Sequence, residues 1–364
     1  MRDNKFRRGR VLAAALALTL VFLGLSAYRW LVDPWPARIE FREDLPLCFT
    51  PDGRSFVFSD FGRLTFRDSA TGRVRSSWSL PENKDTKIVV AGAFSPDGRT
   101  FAAAIRQNNA PAEVAFIDVA SGQIRATGMA RHPQVYEFGF TLDGTALRMG
   151  TANTSGFQEL VSFDPTTGAT EFIFSPAPPT PANGVVASSD GQFLLYLDSK
   201  GGSVSLHDVG PAPNPAPHRI GLTSAGASGA VGFSPDGRML GIGRVDGTID
   251  LWDISGRRLV KALHTGSSGH AFSIVFSPDG RTIAATLGNT RDFDLPRFSR
   301  NIYHRFAGGN FEFEPPSLII IDLATGEPLA RSANSFHLYY SPDGRTIATK
   351  DDDGRVRLRD LPKH

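Results

Sequence analysis

Short apolar runs separated by tight polar clusters fill most of this chain, and the runs are too short for long helices. Residues 88–94 and 100–105 are examples that are rich in β-branched or aromatic side chains, a composition that favours strands. The clusters between such runs combine proline, aspartate and glycine, which predicts tight turns. The pattern therefore predicts an all-β fold of short antiparallel strands.

The N-terminal end is different, because residues 11–28 carry no charge (VLAAALALTLVFLGLSAY). A helix of that length covers roughly 27 Å, close to the hydrocarbon core of a bilayer. Arg29 can snorkel, so we predict one transmembrane helix, a signal anchor, over residues 11–32, with 33–37 as a linker. The basic tail 1–10 then stays cytoplasmic and the rest of the chain is extracytoplasmic. A cleaved signal peptide is the alternative; its apolar region is usually shorter, and it would leave the protein secreted.

The body of the chain contains an internal repeat. Phe-Ser-Pro-Asp-Gly-Arg occurs at 94–99, 233–238 and 276–281, with variants at 49–54 and 340–345 and weaker copies at 140–144 and 187–191. The repeated aspartates are Asp52, Asp97, Asp143, Asp190, Asp236, Asp279 and Asp343. Their spacing is 43 to 47 residues, except for a last interval of 64.

A second motif follows each Asp-Gly turn motif. It is an alternation of apolar and polar residues that ends in aspartate, usually before Thr-Gly or Ser-Gly. These aspartates are Asp68, Asp118, Asp164, Asp208, Asp253, Asp322 and Asp360. Each repeat thus predicts four antiparallel strands with a tight turn in each hairpin. A unit of this size cannot bury both of its faces alone, so neighbouring units must stack.

The best copy, Val-Asp-Gly-Thr-Ile-Asp-Leu-Trp-Asp at 245–253, resembles the WD40-repeat β-propellers. The resemblance covers residues 38–364 and implies a seven-bladed β-propeller that acts as a rigid platform for interactions. Only this repeat carries the Trp-Asp pair, and the family's Gly-His dipeptide is missing from most repeats, Gly269-His270 being a displaced copy at best.

The ends of the chain predict how the ring closes. The seventh repeat stops at 361–364, after its third strand, while residues 38–42 alternate apolar with polar before the first repeat. We expect strand 38–42 to complete the last blade, which would leave few exposed sheet edges.

Charge and cysteine content narrow the function. Lys and Arg number 39 and Asp and Glu 37, giving +2, but residues 1–10 hold +4, so the remainder is −2. Such a body lacks the basic surplus that nucleic-acid binding favours. A single cysteine, Cys48, excludes an intramolecular disulfide and a cysteine-cluster metal site.

One long insertion, residues 290–316 in blade six, accounts for the 64-residue interval and is rich in arginine and aromatic residues. Those residue types favour protein interfaces. Our candidate contacts with a protein or peptide partner are Arg297, Tyr303, His304, Arg305 and Phe306. Alternatively, the aromatic side chains pin the insertion to its own blade.

Other motifs favour structural roles. The Pro-Asp-Gly setting favours turn formation over metal binding for the repeated aspartates, and Asp351-Asp352-Asp353-Gly354 favours a hairpin tip over a calcium loop. No zinc-binding histidine pair, nucleophile elbow or phosphate loop occurs, and Cys48 lies in an apolar strand. We therefore expect no metal, no cofactor and no catalysis.

Two functions remain open at this point. The first is a membrane-anchored, non-catalytic scaffold that binds a protein or peptide. The second is an exported propeller enzyme or small-ligand sensor, whose groups from several blades would meet over the central channel.

Overall fold

The computed structural model describes residues 35, 37–42, 45–60, 62–80, 87–152, 158–174, 182–188, 193–198, 204–208, 218–221, 226–267, 269–288, 317–333, 335–351 and 354–362. This part is all-β and contains no helix. Accordingly, no helix in it is long and apolar enough to cross a membrane. The predicted tail 1–10, anchor 11–32 and insertion 290–316 lie outside the described residues.

Consecutive strands form four-stranded antiparallel sheets, which we number along the chain. Sheet 1 contains β2 (Leu45–Phe49), β3 (Ser55–Asp60), β4 (Arg63–Asp68) and β5 (Val74–Ser79). Sheet 2 contains β6 (Lys87–Phe94), β7 (Thr100–Gln107), β8 (Glu113–Asp118) and β9 (Ile124–Met129). Sheet 3 contains β10 (Gln134–Phe140), β11 (Leu147–Ala152), β12 (Gln158–Phe163) and β13 (Thr170–Phe174). Sheet 4 contains β14 (Ala182–Ala187), β15 (Phe193–Asp198), β16 (Val204–Asp208) and β17 (His218–Gly221).

The second half of the chain repeats this arrangement. Sheet 5 contains β18 (Ala227–Phe233), β19 (Met239–Arg244), β20 (Thr248–Asp253) and β21 (Arg258–His264). Sheet 6 contains β22 (His270–Phe276), β23 (Thr282–Gly288), β24 (Ser317–Asp322) and β25 (Pro328–Ala333). Sheet 7 contains β26 (Ser335–Tyr340), β27 (Thr346–Asp351), β28 (Arg355–Asp360) and, at its outer edge, β1 (Ile39–Arg42).

The sheets pack against each other through both of their faces. Successive side chains of a strand point to opposite faces, so one strand can contribute to two apolar clusters. In β7, Phe101 and Ala103 join the apolar cluster shared with sheet 1, whereas Ala102 and Ala104 join the cluster shared with sheet 3. Clusters also connect sheet 4 with sheet 5, sheet 5 with sheet 6 and sheet 6 with sheet 7. This face-to-face stacking of four-stranded sheets confirms the predicted β-propeller fold.

The turn between the first two strands of a sheet uses one repeated hydrogen-bond network. In sheet 2, the Ser95 hydroxyl donates to Asp97 Oδ1 at 2.6 Å and accepts the Thr100 N–H at 2.9 Å. Asp97 Oδ1 also accepts the Arg99 N–H at 3.0 Å, and Gly98 closes the turn with φ of +69°. The same bonds occur in turns 50–55, 141–146, 234–239, 277–282 and 341–346.

Adjacent turns of this kind touch each other through proline and glycine. A Cβ built on Gly98 would lie 3.4 Å from Pro51 of the preceding turn, and one on Gly144 would lie 3.2 Å from Pro96. The contact continues past the end of the chain, because a Cβ on Gly53 would lie 3.8 Å from Pro342. The last turn of the sequence is therefore the neighbour of the first.

Strand β1 fastens the two ends of the chain together. It runs antiparallel to β28, with Ile39 opposite Leu358 and Phe41 opposite Val356. Phe41 is 5% exposed, and its ring centroid lies 5.1 Å from that of Phe58 in sheet 1. The first strand thus completes sheet 7 and also covers part of the face that sheet 7 presents to sheet 1.

Three further contacts hold the segment that precedes β1. The Trp35 indole N–H donates to the Asp360 carbonyl at 2.8 Å, and the fully buried Arg359 side chain donates to the Trp35 carbonyl at 3.0 Å. Arg38 pairs with the Asp360 carboxylate at 2.7 Å. The chain therefore approaches the propeller along the end of β28.

Replacing Phe41 with alanine should destabilise the whole propeller, because the substitution leaves a cavity in the contact that joins both ends of the chain. We expect a loss of about 3 kcal/mol in the free energy of unfolding, the usual range for a buried phenylalanine, measured by denaturant unfolding. Val74→Ala is the control, since Val74 is 54% exposed at a sheet edge, and should change stability by less than about 0.5 kcal/mol. Equal effects of the two substitutions would contradict the role of β1.

Candidate functional site

The alternating strand directions divide the connections between two rims. The turn rim carries the turns between first and second strands and between third and fourth strands, such as those at Asp97 and Asp118. The connection rim carries the links from second to third strand and from one sheet to the next. Residues that could meet a partner lie on one of these two rims.

The aspartate carboxylates of the turn rim accept hydrogen bonds from their own turns. Asp68 Oδ1 accepts the Thr71 N–H at 2.7 Å and the Thr71 hydroxyl at 2.9 Å, while Arg75 bonds Oδ2. Equivalent bonds form at Asp118, Asp164, Asp253 and Asp322. Within the described residues, no group of three or more His, Cys, Asp or Glu side chains could hold a metal ion. The turn interpretation of the Pro-Asp-Gly aspartates is confirmed by the bonds of Asp97 and its equivalents in the turns that the structure describes.

The same bonds lower the pKa values of Asp68, Asp118, Asp164 and Asp253. The Thr71 hydroxyl and N–H lower the pKa of Asp68 to about 2. The Thr166 hydroxyl and N–H do the same for Asp164, whose pKa is also about 2. Both carboxylates therefore remain charged at any physiological pH and keep the turns bonded.

The connection rim holds carboxylates that are buried and paired. Glu159 in sheet 3 lies 3.5 Å from His132 Nε2, and Asp250 in sheet 5 lies 3.4 Å from Arg244. In sheet 7, Asp351 pairs with Arg357 and accepts the Ser335 hydroxyl at 3.2 Å. Each carboxylate lies beside an arginine or histidine side chain from its own sheet or from the link that precedes it. These pairs fix the ends of strands, since breaking one would leave a charge buried without its partner.

Asp351 also begins the tight hairpin between β27 and β28. The Gly354 N–H donates to the Asp351 carbonyl at 3.0 Å, and Gly354 has φ of +75°. These contacts agree with the predicted hairpin tip, although Asp352 and Asp353 lie outside the described residues.

Cys48 lies in β2, against the apolar cluster between sheets 1 and 2. Burial raises the pKa of its thiol to about 12, which leaves the group protonated at neutral pH. Because the thiolate is the reactive form of cysteine, this geometry supports the packed thiol that the sequence predicts.

The base of the predicted partner site lies on the connection rim of sheet 6. Strands β23 and β24 pair up to Leu287 and Ser317, and residues 289–316 lie between them. The corresponding links in the other sheets are short, for example 245–247 in sheet 5 and 352–354 in sheet 7. The candidate residues Arg297, Tyr303, His304, Arg305 and Phe306 all lie outside the described residues, so the structure tests none of them.

Hydrogen bonds and close backbone packing hold the link between sheets 5 and 6 beside this base. Between sheets 5 and 6, the buried Thr265 hydroxyl donates to the Gly247 carbonyl at 2.7 Å, and Arg331 donates to the Thr265 carbonyl at 2.5 Å. A Cβ on Gly269 would lie 2.6 Å from the Gly288 backbone. Only glycine permits this close approach, which places the link between the two sheets directly against the base of the insertion.

The chain matches no model of a known protein family and no curated protein. The resemblance to WD40 repeats implies a buried hydrogen-bond tetrad. The structure does not show one at the Trp-Asp pair, because the buried Trp252 indole N–H has no hydrogen-bond partner within the described part of the chain. The fold is therefore shown as a β-propeller, and the WD40 assignment stays an inference from motifs.

Sequence reasoning missed an opening on the turn rim. A cavity of about 390 Å³ lies between sheets 5 and 6, bounded by the turns at Asp236 and Asp279 and by Val260 on the outer strand β21. A Cβ on Gly280 would meet nothing within 4 Å, whereas the same glycine touches the preceding proline in four other junctions. The repeat at 276–281 is identical to that at 94–99, so the local sequence gives no signal for this difference.

Acid should destabilise the propeller over a defined range of pH. Asp68 and Asp164 have folded pKa values of about 2, below the usual value of about 3.9 in an unfolded chain. Their contribution is complete above that unfolded value and is lost as the pH falls through the folded one. We therefore expect the urea concentration at the midpoint of unfolding to decrease as the pH is lowered from about 4 to about 2.

The double variant Asp68→Asn, Asp164→Asn is the control for this titration. Asparagine keeps the Oδ1 acceptor but cannot titrate, so the variant should lose less stability across the same range. A loss as large as that of the parent protein would show that these two carboxylates do not carry the effect.

Proposed function

We propose that this protein is a membrane-anchored, seven-bladed, WD40-like propeller that binds a protein or peptide on the extracytoplasmic side without catalysis. Seven four-stranded sheets and the contact of Pro342 with Gly53 support a closed ring of seven blades. Residues 11–32 supply the anchor, on the sequence argument of length and flanking charge.

The observation that carries the binding role is the pairing of Leu287 with Ser317. Two strands joined in register to this point need only a short hairpin to connect them, yet 28 residues, 289–316, separate them in the sequence. Binding residues lie disproportionately on loops that a rigid scaffold positions. The arginine and aromatic content of this one is suited to a protein interface.

The strand registers also support an orientation for the ring. Trp35 is held beside Asp360, at the end of β28 that belongs to the turn rim. The insertion leaves β23 at Gly288, at the opposite end of its sheet. With the anchor ending at Val32, the turn rim faces the bilayer and the insertion faces away from it, where a partner has free access.

Replacing residues 290–316 with a short Gly-Ser linker should abolish partner recovery from detergent-solubilised membranes. The linker can span Leu287 and Ser317 because they are paired, so thermal unfolding should be unchanged. The alanine variant of Arg297, Tyr303, His304, Arg305 and Phe306 should reduce recovery about tenfold, as expected for interface hot spots.

The matched control replaces residues 81–86, another link on the same rim, with the same linker. It should leave partner recovery intact. Undiminished recovery after loss of 290–316, with the chain still folded, would refute the proposed contact site.

A reporter that is active only outside the cytoplasm, fused after His364, should be active in the full chain. The same fusion to a chain that begins at residue 33 should be inactive, because it lacks the proposed anchor. Retention in washed membranes separates an anchor from a cleaved signal peptide, since only the anchor holds the chain there. Activity solely of a cytoplasmic reporter would reverse the proposed topology.

A further inference from the structure

The short link between the proposed anchor and the propeller limits how far the ring can stand from the bilayer. Two residues, 33 and 34, separate Val32, where the anchor ends, from Trp35, the first residue that the structure describes. An extended chain spans at most about 3.6 Å per residue, so Trp35 lies within about 11 Å of the hydrocarbon core. The headgroup layer on one side of a bilayer is itself about 5–8 Å thick. The part of the turn rim beside Trp35 therefore lies at the lipid headgroups.

Side-chain contacts fix the place where the chain enters the propeller. The Trp35 ring packs on the apolar cluster between sheets 6 and 7, and the Arg359 guanidinium lies 5.9 Å from its centroid. Three residues further on, Arg38 donates to the Ser69 carbonyl of sheet 1 at 2.8 Å. The entry point therefore lies on the turn rim of sheets 7 and 1 and is bonded to both sheets.

Three exposed arginines surround this entry point. The Arg54 carbonyl accepts the N–H of Ser69 at 2.9 Å, next to the contact made by Arg38, and Arg73 ends the same turn of sheet 1. The Arg345 carbonyl accepts the Leu361 N–H at 2.8 Å. These backbone bonds place all three arginines on the part of the turn rim that the short link holds near the bilayer.

The charges of this sector favour an anion. The guanidinium groups of Arg54, Arg73 and Arg345 form no hydrogen bond or ion pair with the residues that the structure describes. The aspartates of the sector, in contrast, all accept bonds from the protein; they are Asp52, Asp68, Asp343 and Asp360. With Arg38 and Arg75, which pair with two of them, five arginines against four aspartates leave a net charge of +1.

We propose that the turn rim of sheets 7 and 1 contacts phospholipid headgroups, with Arg54, Arg73 and Arg345 donating to lipid phosphate groups. A guanidinium can donate two parallel hydrogen bonds to one phosphate, and a bilayer surface presents phosphates along the whole sector. The proposal rests on the proposed anchor and adds a second contact surface, opposite the insertion. A ring held at Trp35 and along this rim keeps 290–316 turned away from the bilayer.

The test uses the full-length chain in vesicles of phosphatidylcholine and phosphatidylglycerol, with Cys48→Ala removing the native thiol. Ala70→Cys carries a bimane label on an exposed turn of sheet 1, and Ala110→Cys carries the same label on an exposed link of the connection rim. A lipid that bears a spin label on its headgroup should quench the label at 70 and leave the label at 110 bright. Equal quenching at the two positions would overturn the proposal.

Matched double variants test the arginines. Arg54→Gln with Arg73→Gln should lower the ratio of bound to released rim about tenfold, read as lost quenching at 70, because each cation at a lipid surface contributes to binding. Arg63→Gln with Arg106→Gln removes the same charge from two exposed arginines of the connection rim and should leave the quenching unchanged. Near-ultraviolet circular dichroism checks the fold of each variant. Equal quenching in the two double variants would refute the contact between arginine and phosphate.

Flotation of the same vesicles separates this proposal from the proposed anchor. A chain that floats with the vesicles but shows no quenching at 70 would leave the anchor standing and overturn the rim contact. A chain that does not float would contradict the anchor, and the rim contact with it.

Discussion

The antiparallel pairing of Ile39–Arg42 with Arg355–Asp360 is the interaction on which the rest of the structure depends. A four-stranded sheet with two apolar faces is stable only when neighbours cover both of them. Inner sheets such as sheet 2 obtain that cover from the sheets before and after them in sequence. Sheets 1 and 7 obtain it only because the ends of the chain meet, with Phe41 filling the space against Phe58.

Polar contacts define the geometry of that junction. Glu40 bonds both Arg355 and Arg357 at 3.1 Å across the two strands, and Arg357 also pairs with the buried Asp351. Such pairs contribute little net stability when exposed, but they disfavour a slipped register. The apolar side chains supply the stabilisation here, and the charged ones select which residues face each other.

Much of this fold could be predicted from sequence because its rules are local. A serine or threonine, an aspartate two positions later and a glycine after that form one turn with three side-chain bonds, as at Ser95 and Asp97. The all-β class, the turn roles of the aspartates and the packed Cys48 follow from such short motifs. The alternation in residues 38–42 likewise indicated a strand, whose partner was inferred from the missing fourth strand of the last repeat.

Features that depend on distances between sheets could not be predicted in this way. Gly98 and Gly280 occupy identical hexapeptides, yet one touches a proline and the other faces open space. The difference lies in the packing of sheet 5 on sheet 6, where Met239 lines the cavity at the position that Ser55 has in the junction of Gly98. The buried pairs of Glu159, Asp250 and Asp351 are similar cases, because the fold positions their side-chain partners, which follow no repeated spacing.

The join between the two termini also constrains biosynthesis. Glu40 and Arg355 are separated by 315 positions, so a nascent chain must hold its first strand unpaired until almost the whole polypeptide has been made. During that interval the early sheets present an uncovered apolar face, and loop-closure entropy opposes the final contact. We therefore expect the pairing of β1 with β28 to form last.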